Sequence, residues 1–231
     1  GQQGIQSIQS IRRFKNYMIN VTYTEYPWPH FHGSFDDDFY GYVNDMWSTE
    51  ETKKKWNNAK VRSNIKIESS EITDILTEVG NAIILKSEHL YEKHYPELGK
   101  LPIADNAHHL FSENPPSDTG YDMRKLHLDN GNKMVSGLWY FKDPDDADGG
   151  DLILYNPVTK EKDVFKYDTN KIILFPNLPI SWHTITRREK SQYPRRFVCL
   201  VMESSTVVLH NYKLDNFKDV QTYEETVNYY E

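Results

Sequence analysis

His127, Asp129 and His183 are the residues of this chain whose types and spacing are best suited to binding a catalytic metal ion. The tripeptide His-Leu-Asp places an imidazole and a carboxylate at positions i and i+2, which project from the same face of an extended strand. His183, from a later part of the chain, can complete a set of three ligands. Two nitrogens and one oxygen on one side of a metal leave the opposite coordination positions open.

Open positions allow a metal to bind a cosubstrate and O₂, and this donor set is typical of non-haem Fe(II) oxygenases. One carboxylate and two neutral imidazoles leave Fe(II) with a single positive charge, which a dianionic 2-oxo acid would help to balance. The distal carboxylate of such an acid needs a buried cation. A guanidinium can bind a carboxylate through two hydrogen bonds, and Arg196 stands at the start of an apolar run. Its neighbour Arg195 projects to the opposite face, so only one of the two can point inward.

The elements that must position these residues differ between the two halves of the chain. Apolar residues at helical spacing predict helices from Phe35 to about Asn57 and from Ser70 to Tyr95. Short apolar runs separated by turn residues then predict an all-β sandwich or barrel. The predicted strands are Met123–Leu128, Val135–Phe141, Asp151–Tyr155, Asp163–Tyr167, Lys171–Phe175 and Arg196–Met202. We expect a mainly β core with an N-terminal helical layer.

The whole chain reads as a single domain of 231 residues. Residues 1–100 form the helical support and the segment that leads into it, 101–210 form the β core, and 211–231 form a tail. Substrate specificity is expected in loops around the core, at Pro27–Gly33, Asp105–Asp122 and Arg187–Pro194.

Composition excludes several classes of protein. The chain has 38% hydrophobic residues and a net charge of −7, and the acidic balance argues against nucleic acid as a partner. No stretch approaches the ~20 apolar residues that cross a membrane, and the first residues lack the pattern of a secretory signal. Cys199 is the only cysteine, so neither an intrachain disulfide nor a thiolate zinc site can form. A cytoplasmic location fits these features.

Several stretches around the three candidate ligands resemble the Fe(II)/2-oxoglutarate-dependent oxygenase family, from about Gly120 to Met202. They occur in the family's order: Thr119-Gly-Tyr, then His127-Leu-Asp129, Val135-Ser-Gly-Leu-Trp-Tyr-Phe, Gly149-Gly-Asp-Leu, Ser181-Trp-His-Thr-Ile and Pro194-Arg-Arg-Phe-Val-Cys-Leu. The prolyl-hydroxylase-like branch is the most similar. The segment between His183 and Arg196 is a few residues longer than is usual in that branch.

The resemblance implies a double-stranded β-helix (a jelly-roll or cupin-like core) that binds Fe(II) through His127, Asp129 and His183. It also implies 2-oxoglutarate and O₂ as cosubstrates, allows for ascorbate as a reductant, and assigns the distal carboxylate of 2-oxoglutarate to Arg196 and Tyr140. Arg196 is preferred to Arg195 because it aligns with the family arginine that precedes the apolar run. The implied activity is a dioxygenase that hydroxylates a small molecule, a peptide or a protein side chain.

Two other functions remain open on the sequence alone. One is a cupin-like module that binds a metal or ligand without turnover. The other is a zinc hydrolase, since two histidines and a carboxylate can also hold catalytic zinc. Neither the substrate nor the oligomeric state can be read from the sequence.

Overall fold

The computed structural model describes residues 18–47, 49, 62–98, 104–123, 126–206 and 209. Within these residues there are ten strands and three α-helices. The strands are β1 (Met18–Thr24), β2 (His30–Phe35), β3 (Ser63–Lys66), β4 (Asn106–Asn114), β5 (Lys133–Tyr140), β6 (Leu152–Tyr155), β7 (Lys162–Phe165), β8 (Ile172–Pro176), β9 (Trp182–Ile185) and β10 (Arg195–Glu203). The helices are α1 (Asp37–Trp47), α2 (Ser70–Lys86) and α3 (Glu88–His94), followed by a 3₁₀ turn at Pro96–Leu98.

The strands form two antiparallel sheets that make up a jelly-roll core. Seven strands are ordered β1-β2-β8-β5-β10-β4-β3, and three are ordered β7-β6-β9. Ile173 and Phe175 of β8 pack against Leu152 and Leu154 of β6, which joins the two sheets through an apolar layer. This confirms the mainly β architecture expected from the sequence.

The helices cover the opposite face of the large sheet. Helix α1 begins where Asp36 accepts a hydrogen bond from the Phe39 amide at 2.9 Å, and Ser69 caps α2 in the same way through Ile72. The apolar face of α2 packs on the central strands and forms the N-terminal helical layer that the sequence predicts. Its buried residues recur at helical spacing: Ile72, Ile75, Leu76, Val79, Gly80, Ile83 and Ile84.

Several element boundaries differ from those expected. The helix predicted from Ser70 to Tyr95 is interrupted at Ser87, whose buried hydroxyl donates to the Ile83 carbonyl at 2.5 Å. A serine that hydrogen bonds to the preceding turn competes with the helix ladder and bends it. The first helix begins at Asp37 rather than Phe35, and its predicted end near Asn57 lies outside the described residues.

Two segments expected to be loops are strands of the large sheet. His30–Phe35 pairs with β8 and Asn106–Asn114 pairs along its whole length with β10. Conversely, the strand expected at Met123–Leu128 is reduced to a single bridge at His127 within the described residues. The tail predicted at 211–231 lies outside the described residues. None of the described helices has the length and apolar character needed to cross a membrane.

Candidate metal and cosubstrate site

His127 and His183 are brought together by direct backbone pairing. The His127 amide donates to the His183 carbonyl, and the His183 amide donates to the His127 carbonyl, each at 3.0 Å. His183 belongs to β9, so this bridge attaches the segment that carries His127 to the edge of the small sheet. The two imidazole rings lie 4.2 Å apart between centroids. A backbone pairing therefore fixes the relative position of both candidate nitrogen ligands.

Asp129 completes the cluster with one of its two oxygens. Its Oδ1 lies 3.7 Å from His127 Nε2 and 3.7 Å from His183 Nε2. Its Oδ2 accepts hydrogen bonds from the Ser136 hydroxyl and from Lys133 Nζ, the latter at 3.3 Å. The carboxylate thus directs one oxygen to the histidines while two other side chains hold the second oxygen.

The protonation states suit metal binding. Burial alone raises the pKa of Asp129. The opposite effect is larger and holds that pKa well below its usual range; it comes from the charges of Lys133 and His183 and from hydrogen bonds with His127 and Ser136. Burial lowers the pKa of His183 to about 3, against a smaller opposing effect of Asp129. At neutral pH the cluster therefore presents a carboxylate and, at His183, a neutral imidazole. These are the forms in which both side chains bind metals.

The donor set fits a single divalent ion. The three donor atoms lie within 4.8 Å of one another and all three residues are buried. Two donors bonded to one ion at about 2.1 Å can be no more than about 4.2 Å apart. The distances of 3.7 Å from Asp129 Oδ1 to the Nε2 atoms of both histidines satisfy this limit. His183 Nδ1 donates to the Ser181 carbonyl at 2.9 Å, which leaves Nε2 as the nitrogen with a lone pair. Such support of the distal nitrogen is the usual arrangement of metal-binding histidines.

A buried guanidinium shares the cavity with this cluster, and it belongs to Arg195. Only 1% of Arg195 is exposed. Its Nε donates to the Gly150 carbonyl at 2.9 Å, one terminal nitrogen to Asn114 Oδ1 at 3.2 Å, and the other to the Tyr140 hydroxyl at 3.3 Å. These partners are all neutral. In the described part of the chain no carboxylate lies within ion-pair distance of Arg195.

Aromatic rings surround this isolated charge. The Arg195 guanidinium carbon lies 4.7 Å from the centre of the Phe197 ring, with Tyr140 and Tyr167 at 5.1 and 5.2 Å. Cation–π attraction offsets part of the cost of burial. Burial lowers the pKa of Arg195, although a guanidinium remains charged in proteins. The site therefore holds a permanent cation for which the described part of the chain provides no anionic partner.

The expectation that Arg196 faces this cavity is corrected by the structure. Arg196 lies on the other face of β10, and its side chain is 37% exposed and pairs with Glu113 at 2.8 Å. The alternation of the strand gives the physical reason: Arg195, Phe197 and Cys199 share the cavity face, so Arg196 must project away.

Tyr140 lies behind the cavity wall. It is fully buried, and its hydroxyl contacts Arg195. Burial raises the pKa of Tyr140 to about 12, so it is a neutral phenol at physiological pH. The structure thus places it as a neighbour of the cation, on the same side of β5 as Ser136.

Arg195 and the cluster of His127, Asp129 and His183 lie in one cavity of about 370 Å³ between the two sheets. Its walls are largely apolar, as ligand sites usually are, and include Leu138, Leu152, Phe175, Ile185 and Phe197. The cavity therefore combines three side chains that could bind a metal ion with a buried cation at a separate point.

The segment between His183 and Arg195 is held by a buried ion pair. Arg188 donates to both carboxylate oxygens of Asp146, at 2.5 and 2.7 Å, and Ser191 donates to one of them at 2.5 Å. Backbone bridges join Arg188 to Tyr121 and to Gly149. The longer connection noted in the sequence is thus held in place by hydrogen bonds, and one of its bridges joins it to Tyr121 of the cavity wall.

Four polar residues of the site were not expected from the sequence: Arg62, Asn114, Lys133 and Ser136, all of which line the cavity. Lys133 and Ser136 follow Asp129 closely in the chain, and their position on β5 is the only signal that could have indicated them. Asn114 ends β4 and Arg62 immediately precedes β3, two strands that the sequence did not predict, so no local pattern pointed to either residue.

Comparison with solved structures identifies the fold. The chain matches a prolyl hydroxylase from Trichoplax adhaerens, solved with a peptide fragment of the hypoxia inducible factor oxygen degradation domain, with a TM-score of 0.51 and 14% identity over 88% of this chain and 92% of that one. It matches a prolyl 4-hydroxylase from Pseudomonas putida with a TM-score of 0.50 and 13% identity over 76% and 92% of the two chains. A prolyl 4-hydroxylase from Phytophthora capsici gives a TM-score of 0.45 and 16% identity over 76% of this chain, which spans 59% of that one. No family model and no curated protein matches the sequence. The resemblance seen in the sequence is therefore confirmed at the level of the fold, which is that of the prolyl hydroxylases.

Proposed function

We propose that this protein is an Fe(II)- and 2-oxoglutarate-dependent dioxygenase that hydroxylates a carbon of a small molecule, a peptide or a protein side chain. The observation that carries the proposal is Arg195. Its guanidinium is fully buried and has no carboxylate partner among the residues that the structure describes, and an unpaired buried charge is costly to maintain. It shares a cavity with a buried cluster of two histidines and one aspartate. A dicarboxylic oxo acid is the kind of ligand that uses both features at once.

The hydrogen bonds of Arg195 leave room for one carboxylate. A guanidinium has five N–H donors, and three of them are engaged by Gly150, Asn114 and Tyr140. One donor remains on each terminal nitrogen. Those two donors can bind both oxygens of a carboxylate in the bidentate manner typical of arginine. The role proposed from the sequence for Arg196 is accordingly reassigned to Arg195, with Tyr140 holding the guanidinium in place.

His127, Asp129 and His183 would hold the ferrous ion. When bound, the iron supplies the oxidising chemistry, in which 2-oxoglutarate and O₂ are converted to succinate and CO₂ as the substrate is hydroxylated. Ser136 and Lys133 keep Asp129 oriented, and Ser181 keeps the lone pair of His183 directed into the cluster. The apolar walls between the sheets limit the access of water to the reacting atoms.

The adjacent arginines provide the test. Arg195→Gln should weaken the binding of 2-oxoglutarate by at least about 10-fold, because a charge-assisted bidentate contact is lost. Arg196→Gln is the matched control and should leave that affinity unchanged. The measurement is an anaerobic titration of the Fe(II)-loaded protein with 2-oxoglutarate, followed by an assay for succinate in the presence of O₂.

The two alternatives give different results in this experiment. A zinc hydrolase would bind its metal but show no dependence on 2-oxoglutarate. A binding module without turnover would bind both and form no succinate. Equal 2-oxoglutarate affinities for the two arginine variants would contradict the assignment of Arg195.

A further inference from the structure

A second arginine, Arg62, lines the same cavity. It immediately precedes β3, at the edge of the large sheet, and it is partly buried. Ser63 pairs with Glu113 on β4, which places Arg62 beside Asn114, and Asn114 in turn pairs with Arg195 on β10. Arg62 therefore belongs to the same row of the sheet as Arg195 but lies nearer to solvent.

Neutral groups hold the Arg62 side chain in the cavity. Its Nε donates to Asn64 Oδ1 at 2.8 Å and its Nη2 donates to Ser112 Oγ at 3.1 Å. Its guanidinium carbon lies 4.9 Å from the centre of the Phe197 ring, the ring that Arg195 also contacts. Among the described residues no carboxylate lies within ion-pair distance of Arg62. Three of its five donors remain, including one or more on each terminal nitrogen, which is enough to bind a carboxylate.

In the proposed arrangement Arg62 does not bind the cosubstrate. In the proposed function the oxo-acid end of 2-oxoglutarate belongs to the metal and its distal carboxylate belongs to Arg195, whose two remaining donors are sufficient for it. The other cavity charges are already paired, since Lys133 contacts Asp129 at 3.3 Å and Asp122 contacts Arg187 at 2.9 Å. Arg62 therefore contributes a positive charge that neither the cosubstrate nor any carboxylate of the described residues neutralises.

We propose that Arg62 binds a carboxylate of the substrate, so that the enzyme acts on acids rather than on neutral compounds. This inference rests on the proposed function and names the class of substrate for the same site. The carboxylate has two sources: the free acid group of an amino acid or metabolite, and an acidic side chain within a peptide. Both offer the same two oxygens to the guanidinium, so the experiment must separate them.

Binding to the cosubstrate-loaded protein tests the inference. Mn(II) replaces Fe(II) so that no turnover consumes the probes, and 2-oxoglutarate is present at saturation. One arm titrates the N-acetyl amino acids against their methylamides by calorimetry. The other arm titrates capped tripeptides with a central Asp or Glu against the same peptides with Asn or Gln. The proteins are the wild type, Arg62→Gln and, as control, Arg196→Gln, whose side chain lies on the opposite face of the sheet.

The expected result is that at least one acid binds the wild type at least about 10-fold more tightly than its neutral counterpart. The arm in which this occurs identifies the source of the carboxylate. Arg62→Gln should abolish the preference, Arg196→Gln should keep it, and both variants should bind 2-oxoglutarate within about two-fold of the wild type, since neither contacts it in the proposed arrangement.

Three results would overturn the inference. A wild type that prefers no acid to its neutral counterpart removes the proposed substrate class. If Arg62→Gln still prefers the acid to its neutral counterpart, another residue binds the carboxylate. A large loss of 2-oxoglutarate affinity in Arg62→Gln assigns Arg62 to the cosubstrate instead. A wild-type protein that takes up neither Mn(II) nor 2-oxoglutarate would be a different failure, because it contradicts the proposed function itself.

Discussion

The orientation of Asp129 depends on Ser136, whose buried hydroxyl donates to the oxygen that faces away from the histidines. We expect Ser136→Ala to weaken the binding of Mn(II) or Fe(II) by about 10-fold or more, because groups that orient a metal ligand typically have effects of that size. Lys133 would still hold the same oxygen, so binding should be reduced rather than lost. The measurement is an anaerobic metal titration.

The control for this prediction is Ser34→Ala, at a serine that is similarly buried but is not part of the cavity lining. Its metal affinity should equal that of the wild type. A Ser136→Ala protein with unchanged affinity would show that Lys133 alone is sufficient to orient Asp129.

The two adjacent arginines show which residues could and could not be assigned from the sequence. The types and spacing of His127, Asp129 and His183 were enough to nominate one cluster, and the structure brings the three together. The choice between Arg195 and Arg196 required knowing which face of β10 meets the cavity. Nearly every residue of β10 is buried, because one face meets the helical layer and the other meets the cavity. A strand buried on both sides has no polar–apolar alternation to reveal its orientation.

At the scale of elements, the connection after β9 depends on a glycine. Gly149 has a φ of +90°, and a Cβ atom at this position would lie 2.3 Å from the Arg187 carbonyl oxygen. Gly149→Ala should therefore lower the free energy of unfolding by about 1–2 kcal/mol or more, from the unfavourable backbone conformation and the clash together. Because Gly150 holds Arg195 through its carbonyl, the same variant should also weaken 2-oxoglutarate binding.

Gly41→Ala provides the matched control. Gly41 lies inside α1, and a Cβ atom there would meet no neighbour within 4 Å. Alanine favours the helix, so this variant should gain about 0.5–1 kcal/mol of stability. Urea unfolding measures both effects, and a destabilised Gly41→Ala or an unaffected Gly149→Ala would contradict this account.

The strands that were predicted and the strands that were missed differ in composition. The apolar cores of β5, β6, β8 and β10 were predicted, with ends that moved by only a few residues. The missed strand β4 has the sequence Asn-Ala-His-His-Leu-Phe-Ser-Glu-Asn, which lacks a regular apolar period. Its nine residues are extended because each one pairs with β10. Tertiary pairing of this kind overrides local propensity, and it also places Asn114 beside Arg195.

For the whole molecule, the cluster of His127, Asp129 and His183 brings together parts that few backbone hydrogen bonds connect in the described structure. Within the described residues, the segment that carries His127 pairs with the small sheet only at the isolated bridge between His127 and His183. Asp129 is held from the large sheet by Ser136 and Lys133 of β5, while His183 belongs to the small sheet. An ion bound to all three side chains therefore links both sheets and the segment between them. The change along the sequence from helical spacing to short apolar runs predicts a helical layer and a β core, but only the three-dimensional arrangement shows that the cluster lies between the two sheets of that core.

Metal binding should accordingly stabilise the native protein. A ligand that binds only the folded state contributes about 2.7 kcal/mol when its concentration is 100 times its dissociation constant. For a chain of this size that corresponds to a rise in Tm of about 5–10 °C. Differential scanning fluorimetry with increasing Mn(II) measures the rise, and addition of a chelator should reverse it. His183→Ala should show no rise, whereas Arg196→Gln should respond like the wild type. A Tm that increases equally in His183→Ala would mean that Mn(II) binds elsewhere, and the cluster of His127, Asp129 and His183 would then not be the metal site.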